Sequence, residues 1–154
     1  MLQSIKKTAN GLVALFKDGT SYKFFDILET AVIDNTALPA TTVVGNITSL
    51  NIPSGKWYIE ATGRVNNGAS ATTWTDDYGL ALSTNSSNVT SATGLSQSAI
   101  RPAVTNLGMN AVQARVSRIY NYNMMVPVYL NHYGYYSSGA PVTNGAMIRA
   151  IRIG

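Results

Sequence analysis

His132 is the only histidine in the chain, and there is no cysteine. A two-histidine metal site, a thiolate site and a cysteine nucleophile are therefore not expected. No carboxylate lies near His132 in sequence, so the bland reading is a packed or surface imidazole. The carboxylates are Asp18, Asp26, Glu29, Asp34, Glu60, Asp76 and Asp77. A glycosidase holds two of them roughly 5–10 Å apart across a sugar. Asp76 and Asp77 are adjacent, so a strand would point them to opposite faces. In a loop they could offer hard oxygens to Ca²⁺, but the D-x-[DN]-x-[DN]-G spacing is missing. Solvated acids are the simpler reading. Neither a G-x-S-x-G elbow nor a G-x-x-x-x-G-K-[ST] loop occurs. A hydrolase of surface glycans would rest on Glu60, Asp76 and Asp77 alone. The expectation is a non-enzymatic chain with no catalytic residue, cofactor or metal.

Tyrosine is the enriched reagent. Tyr120, Tyr122, Tyr129, Tyr133, Tyr135 and Tyr136 crowd one short span. A tyrosine offers a rigid apolar ring and a hydroxyl, which suits interfaces and sugar stacking. Tyr129, Tyr133, Tyr135 and Tyr136, with Trp74, are candidates for ligand or subunit contacts. The alternative is that these rings cover a sandwich edge or pack between subunits.

Residues 1–30 hold four of the eleven cations and all three phenylalanines. Leu2, Ile5 and Ala9 are spaced for one face of a short helix, with Asn10-Gly11 as its stop. Leu12–Phe16 and Tyr22–Phe25 flank Lys17-Asp18-Gly19-Thr20, a hairpin signal because glycine accepts the turn's positive φ. An isolated hairpin is marginal in water, so this one must dock. Leu12, Leu15, Phe16, Tyr22, Phe24 and Phe25 are the candidate anchors, either to the chain's own domain or to a partner. Residues 31–46 read as a connector, with Leu38-Pro39 forcing an extended step.

The pattern is β from Ile47 onward. Trp57, Ile59, Ala61, Gly63 and Val65 alternate with Lys56, Tyr58, Glu60, Thr62 and Arg64, the clearest period of two in the chain. Asn66–Asp77 reads as a loop around Trp74, and Tyr78–Ser83 as a short strand. Thr84–Leu107 reads as long loops with one or two short strands. Val112, Ala114 and Val116 alternate, as do Met124, Val126, Val128 and Leu130. Pro127 lacks a donor and predicts an edge or a bulge. Met147–Ile153 closes the chain. Arg149 shares a face with Ile151 and Ile153 while Arg152 takes the other, a mixture that a neighbouring subunit would explain. Short strands with turns between them, and no long helix, predict an all-β antiparallel sandwich. The domains are read as an attachment arm with a hairpin at 1–30, the connector at 31–46 and a head at 47–154.

Charged residues make up 12% of the chain, against about 25% in ordinary soluble domains. A surface this neutral is either covered or displays Ser, Thr, Asn and Tyr. The net charge is +4 with Lys6-Lys7 the only adjacent cations. No basic stripe with aromatics appears, so nucleic acid is not an expected partner. No run of 18 apolar residues occurs, and no membrane insertion is expected. Met1–Lys7 lacks the apolar core of a signal peptide, so passage through the general secretion route is not expected.

Ile52-Pro53-Ser54-Gly55-Lys56-Trp57-Tyr58-Ile59-Glu60-Ala61 resembles the G-x-Y-x-I strand of tumour-necrosis-factor-like jelly rolls. Leu80–Asn85 resembles the next short strand. Ala111–Ile119 and Met124–Leu130 resemble the adjacent core pair, with Asn121-Tyr122-Asn123 where the family often carries Gly-Asp. Tyr133–Ser138 resembles the aromatic loop after them, and Ala146–Gly154 the last strand. The resemblance covers roughly residues 45–154 and implies a jelly roll and a homotrimer. Small heads of this kind with a short attachment segment are also similar to bacteriophage capsid decorations, head fibres and tail-fibre heads. That likeness implies a virion structural protein whose partners are its own copies and a capsid or tail protein. The alternative is a receptor- or carbohydrate-binding tail-fibre head that meets a host surface glycan.

Overall fold

A computed structural model describes residues 1–8, 11–67, 72–87, 96–100 and 112–154, without the side chains of 12, 21–25, 96–100 and 112. Among the described residues, twelve strands form three antiparallel sheets. β1 (Leu2–Thr8), β2 (Gly11–Phe16) and β3 (Ser21–Phe25) make a small sheet in that order. β4 (Ile27–Glu29), β5 (Thr36–Ala37), β7 (Gly55–Asn66), β10 (Val112–Tyr122) and β12 (Val142–Arg152) make the second sheet. Its order is β10-β7-β12-β4, with β5 also on β12. β6 (Gly45–Ile52), β8 (Thr73–Ser83), β9 (Ser96–Ile100) and β11 (Val126–Ser138) make the third, in the order β6-β11-β8-β9.

The larger two sheets follow one rule. β8 pairs β9, β7 pairs β10, β6 pairs β11 and β4 pairs β12, each pair nested inside the next. β12 then joins β7, and β11 joins β8, to close each sheet. A ribbon of four nested antiparallel pairs wound into two facing sheets, here with the short β5 added to one of them, is a jelly roll.

Strand alternation builds the core between these sheets. Trp57, Ile59, Ala61 and Val65 are buried on β7, beside Ala114 and Val116 of β10 and Ala146, Ile148 and Ala150 of β12. Ile52, Tyr78, Leu80, Leu82, Val128 and Leu130 face them from the third sheet. The Trp57 indole nitrogen donates to the Pro53 carbonyl at 3.0 Å, so the largest core side chain buries its one polar atom satisfied.

Several segments differ from the sequence expectation. Leu2–Thr8 is a strand paired with β2 rather than a helix. Three apolar residues supply too narrow a stripe to bind a helix to anything, whereas the strand gains a ladder of backbone bonds. The proposed stop at Asn10 and the body of Thr84–Leu107 lie largely outside the described residues. Trp74 sits in β8 and is buried, edge-on to Tyr78 and Tyr136 at 6.4 and 6.0 Å. The exposed Thr75 and Asp76 that follow it hide the strand pattern.

Pro127 lies in β11, a central strand, but opposite Asn51 of β6 and beyond the Tyr129↔Ser83 pair where β8 ends. Locally it stands on an edge, where a missing N–H costs no ladder bond.

The segment read as arm end and connector belongs to the second sheet. β4 pairs Ile27–Glu29 with Ile151–Arg149. Backbone bonds then run from Thr30 N to the Ile148 carbonyl, both ways between Ile33 and Ala146, and from Leu38 N to the Pro141 carbonyl. Asp34 and Asn35 fasten this strap to a bulge in β12. Gly145 N donates to Asp34 Oδ1 and Asn35 N to Asn144 Oδ1, both at 2.6 Å. Asn35 holds a φ of 56°, a region asparagine tolerates better than most residues.

Candidate interaction surfaces

The outward face of the second sheet is built by the polar half of the β7 alternation. Cross-strand register places Ile119, Tyr58, Ile151 and Ile27 in one row across β10, β7, β12 and β4. Ile27 is buried, Tyr58 and Ile151 are half-buried, and Ile119 is 53% exposed. The next row carries Ser117, Glu60, Arg149 and Glu29. Arg149 Nε lies 3.0 Å from Glu29, and Arg115 pairs with Glu60. The Glu60 hydrogen bond and charge raise the Arg115 pKa. Lys7 of β1 reaches Glu29 at 3.9 Å, linking the small sheet to the head. These exposed pairs order the face more than they stabilise it.

The mixed faces of the last strand thus resolve into two roles. Arg149, Ile151 and Ile153 point outward. Arg152, at the open end of the sandwich, lies over the Trp57 ring at 5.9 Å and pairs with Asp26 at 3.3 Å. The same end presents Met124 and Met125, 70% and 63% exposed, and Ile153. Sequence reasoning passed over Ile119, Met124 and Met125 as contact residues. The available signal was Ile119 itself, an apolar residue in register with Gln113, Arg115 and Ser117.

The tyrosine cluster divides. Tyr133 is 7% exposed and lies across Gly79, where an added Cβ would fall 2.2 Å from its ring. Tyr136 is half-buried, and its hydroxyl donates to the Pro39 carbonyl at 2.7 Å. Trp74 is core. Tyr135 packs edge-on to Tyr133 at 6.1 Å, and Tyr129 is half-buried on β11. Tyr120 and Tyr122 stack at 5.6 Å, with Arg118 over Tyr120 at 5.9 Å. Burial, with Tyr120 second, pushes the Tyr122 phenol up to about 12. Of the five aromatic candidates, Trp74, Tyr133 and Tyr136 are thus committed to packing within the chain. Replacing Gly79 with alanine should destabilise the fold by about 1–3 kcal/mol, because the buried ring must swing aside. Urea unfolding checks this. In the Gly79→Ala/Tyr133→Ala double variant the clash is gone, so its cost should fall short of the sum of the two single-variant costs.

Of the anchor candidates, Leu15 and Phe16 are half-buried in β2, whose Ala14 is fully buried. The side chains of Leu12, Tyr22, Phe24 and Phe25 lie outside the described residues. In the turn between β2 and β3, Thr20 donates to Asp18 from its hydroxyl and its N–H, which lowers the Asp18 pKa. Among the described residues no group of three His, Cys, Asp or Glu is placed to hold a metal. His132 is buried in the core beside Thr143, and Asp76 and Asp77 adjoin on β8.

Fold and surfaces together define an all-β antiparallel jelly-roll domain carrying a separate N-terminal sheet. No protein-family model and no curated protein matches the chain. Solved structures similar to it include that of the infectious bursal disease virus Gt strain, with TM-score 0.47 and 10% identity over 92% of this chain and 40% of that one. The Gx strain structure has TM-score 0.46 and 11% identity over 93% and 38%. The crystal structure of the infectious bursal disease virus VP2 subviral particle has TM-score 0.41 and 9% identity over 95% and 45%. The chain spans less than half the length of each.

Proposed function

We propose that the chain is a non-enzymatic structural module of a virus particle. In this reading the jelly roll is a homotrimeric head, and the N-terminal segment holds it on a capsid or tail protein as a decoration or fibre part. The observation that carries the reading is the outward face of the β10-β7-β12-β4 sheet. Its apolar row and the exposed Ile119, Met124, Met125 and Ile153 beside it are what a subunit contact needs. The low charge of the chain supports it too. The small sheet supports the attachment half, since its first strand leaves Met1, Leu2 and Ile5 in solvent.

The receptor- or glycan-binding alternative gains nothing specific, because Tyr133, Tyr136 and Trp74 are used inside the chain. The test is the mass in solution of the full chain and of a chain begun at Asp26. Asp26 must stay, because its carbonyl accepts from Arg152 N and β4 follows it. Trimers for both, with particle binding only by the full chain, are expected. A monomeric head would overturn the trimer, and retained particle binding by the shortened chain would overturn the attachment.

A further inference from the structure

β1 is an edge strand. It pairs with β2 on one side and with no strand among the described residues on the other. Met1 is 88% exposed, Leu2 48% and Ile5 57%. Such edges invite pairing unless lysine, proline, a bulge or brevity guards them. Here Lys6 and Lys7 guard one half of the strand, and a register shift between Leu2 and Ser4 marks the other. Ser4 and Ile5 are left between them.

The charge pattern of the strand selects what can pair with it. In a parallel, in-register pair of two β1 strands, each lysine would stand beside its own copy, which is destabilising. An antiparallel pair centred on Ile5 sets Ile5 against Ile5, Ser4 against Lys6 and Gln3 against Lys7. No cation then meets a cation, and the exposed isoleucines cover each other. Moving the centre toward Lys6 or Lys7 brings lysines face to face, and moving it toward Met1 shortens the ladder.

We propose that the occupant of this edge is a second copy of the chain. Two molecules join about a twofold axis through antiparallel β1 strands, and their two small sheets become one continuous sheet. The contact is self-complementary, as a twofold interface must be. It uses the edge of the small sheet and none of the head's outward face, so it is independent of the trimer reading, although it covers the Leu2 and Ile5 surface that the attachment reading also uses.

The chain has no cysteine, so Ile5→Cys introduces a single thiol. Cβ atoms of opposed strand residues lie about 4.5–5.5 Å apart, near the disulfide range of about 3.5–4.5 Å. Mild oxidation of the full-length Ile5→Cys protein should give a covalent dimer that reductant reverses, whether or not heads trimerise. Ser4→Cys and Lys6→Cys should cross-link poorly alone and well when mixed, because each opposes the other. Equal cross-linking at all three positions, or none at Ile5→Cys, overturns the proposal. Without cross-linking, Ile5→Lys should weaken chain association by about tenfold or more, since it sets two cations face to face. Sedimentation reads this directly, and identical association of Ile5→Lys and the unaltered chain also overturns it.

Discussion

Replacing Trp57 with alanine should lower the unfolding free energy by about 3–5 kcal/mol. The indole is 1% exposed on the second sheet's inner face, near the end of β7 that Arg152 covers, and its nitrogen donates to Pro53. The substitution removes the largest fully buried side chain, leaves a cavity, and strips the Pro53 carbonyl of its donor. Arg152, which lies over the ring and pairs with Asp26, would lose its platform as well. Domains of this size are stable by about 5–15 kcal/mol in total, so the variant should unfold at far lower urea. A loss below about 1 kcal/mol would mean that the sandwich closes over the gap, contrary to the packing of cores in general. Trp57→Phe should recover most of the apolar contact but not the hydrogen bond.

Acid should weaken the fold through His132. Its ring is 1% exposed, and Nδ1 shares a hydrogen bond of 2.8 Å with Thr143 Oγ1. Thr143 shares another, 3.2 Å long, with the Tyr78 hydroxyl. This chain of three polar groups crosses from β11 to β12 to β8 inside the sandwich, and burial pushes the Tyr78 phenol up strongly. On its other side the imidazole abuts Gly45, where an added Cβ would lie 2.7 Å from Nε2.

Burial lowers the His132 pKa from 6.5 to about 4. The unfolded chain therefore takes up a proton as pH falls below 6.5, while the folded chain stays neutral until about 4. Stability is fully present above pH 6.5 and should fall by roughly 3 kcal/mol on the way down to pH 4. The Asp18 carboxyl, also depressed, loses its contribution only below its ordinary value of 3.8, under this window. Urea midpoints measured from pH 7.5 to 4 for the parent and for His132→Gln separate the effect. The variant should be less stable at neutral pH and flatter with acid. Parallel slopes would assign the acid sensitivity to groups other than His132.

The strands legible in sequence were those that bury one face. Lys56–Val65 alternates because β7 lies in the middle of its sheet with one side on the core. The outward row was half legible. Ile151 and Ile153 stood out beside Arg149, but that Ile119 and Tyr58 continue their row depended on cross-strand register. The Tyr133 ring is polar-tipped and aromatic whether it meets a ligand or lies over Gly79, so its type could not choose between the two.

Composition and period thus determined an all-β chain with short strands, a neutral surface and a hairpin at Lys17–Thr20. Tertiary structure alone decided that Leu2–Thr8 is a strand and that 27–38 zips along β12. It also decided that Trp74 is core and that His132 is a buried link between sheets. The physical reason is the same in each case. Side-chain periodicity records burial against a face, whereas strand pairing is made by backbone groups common to every residue but proline, and only the assembled sheets show which backbones meet.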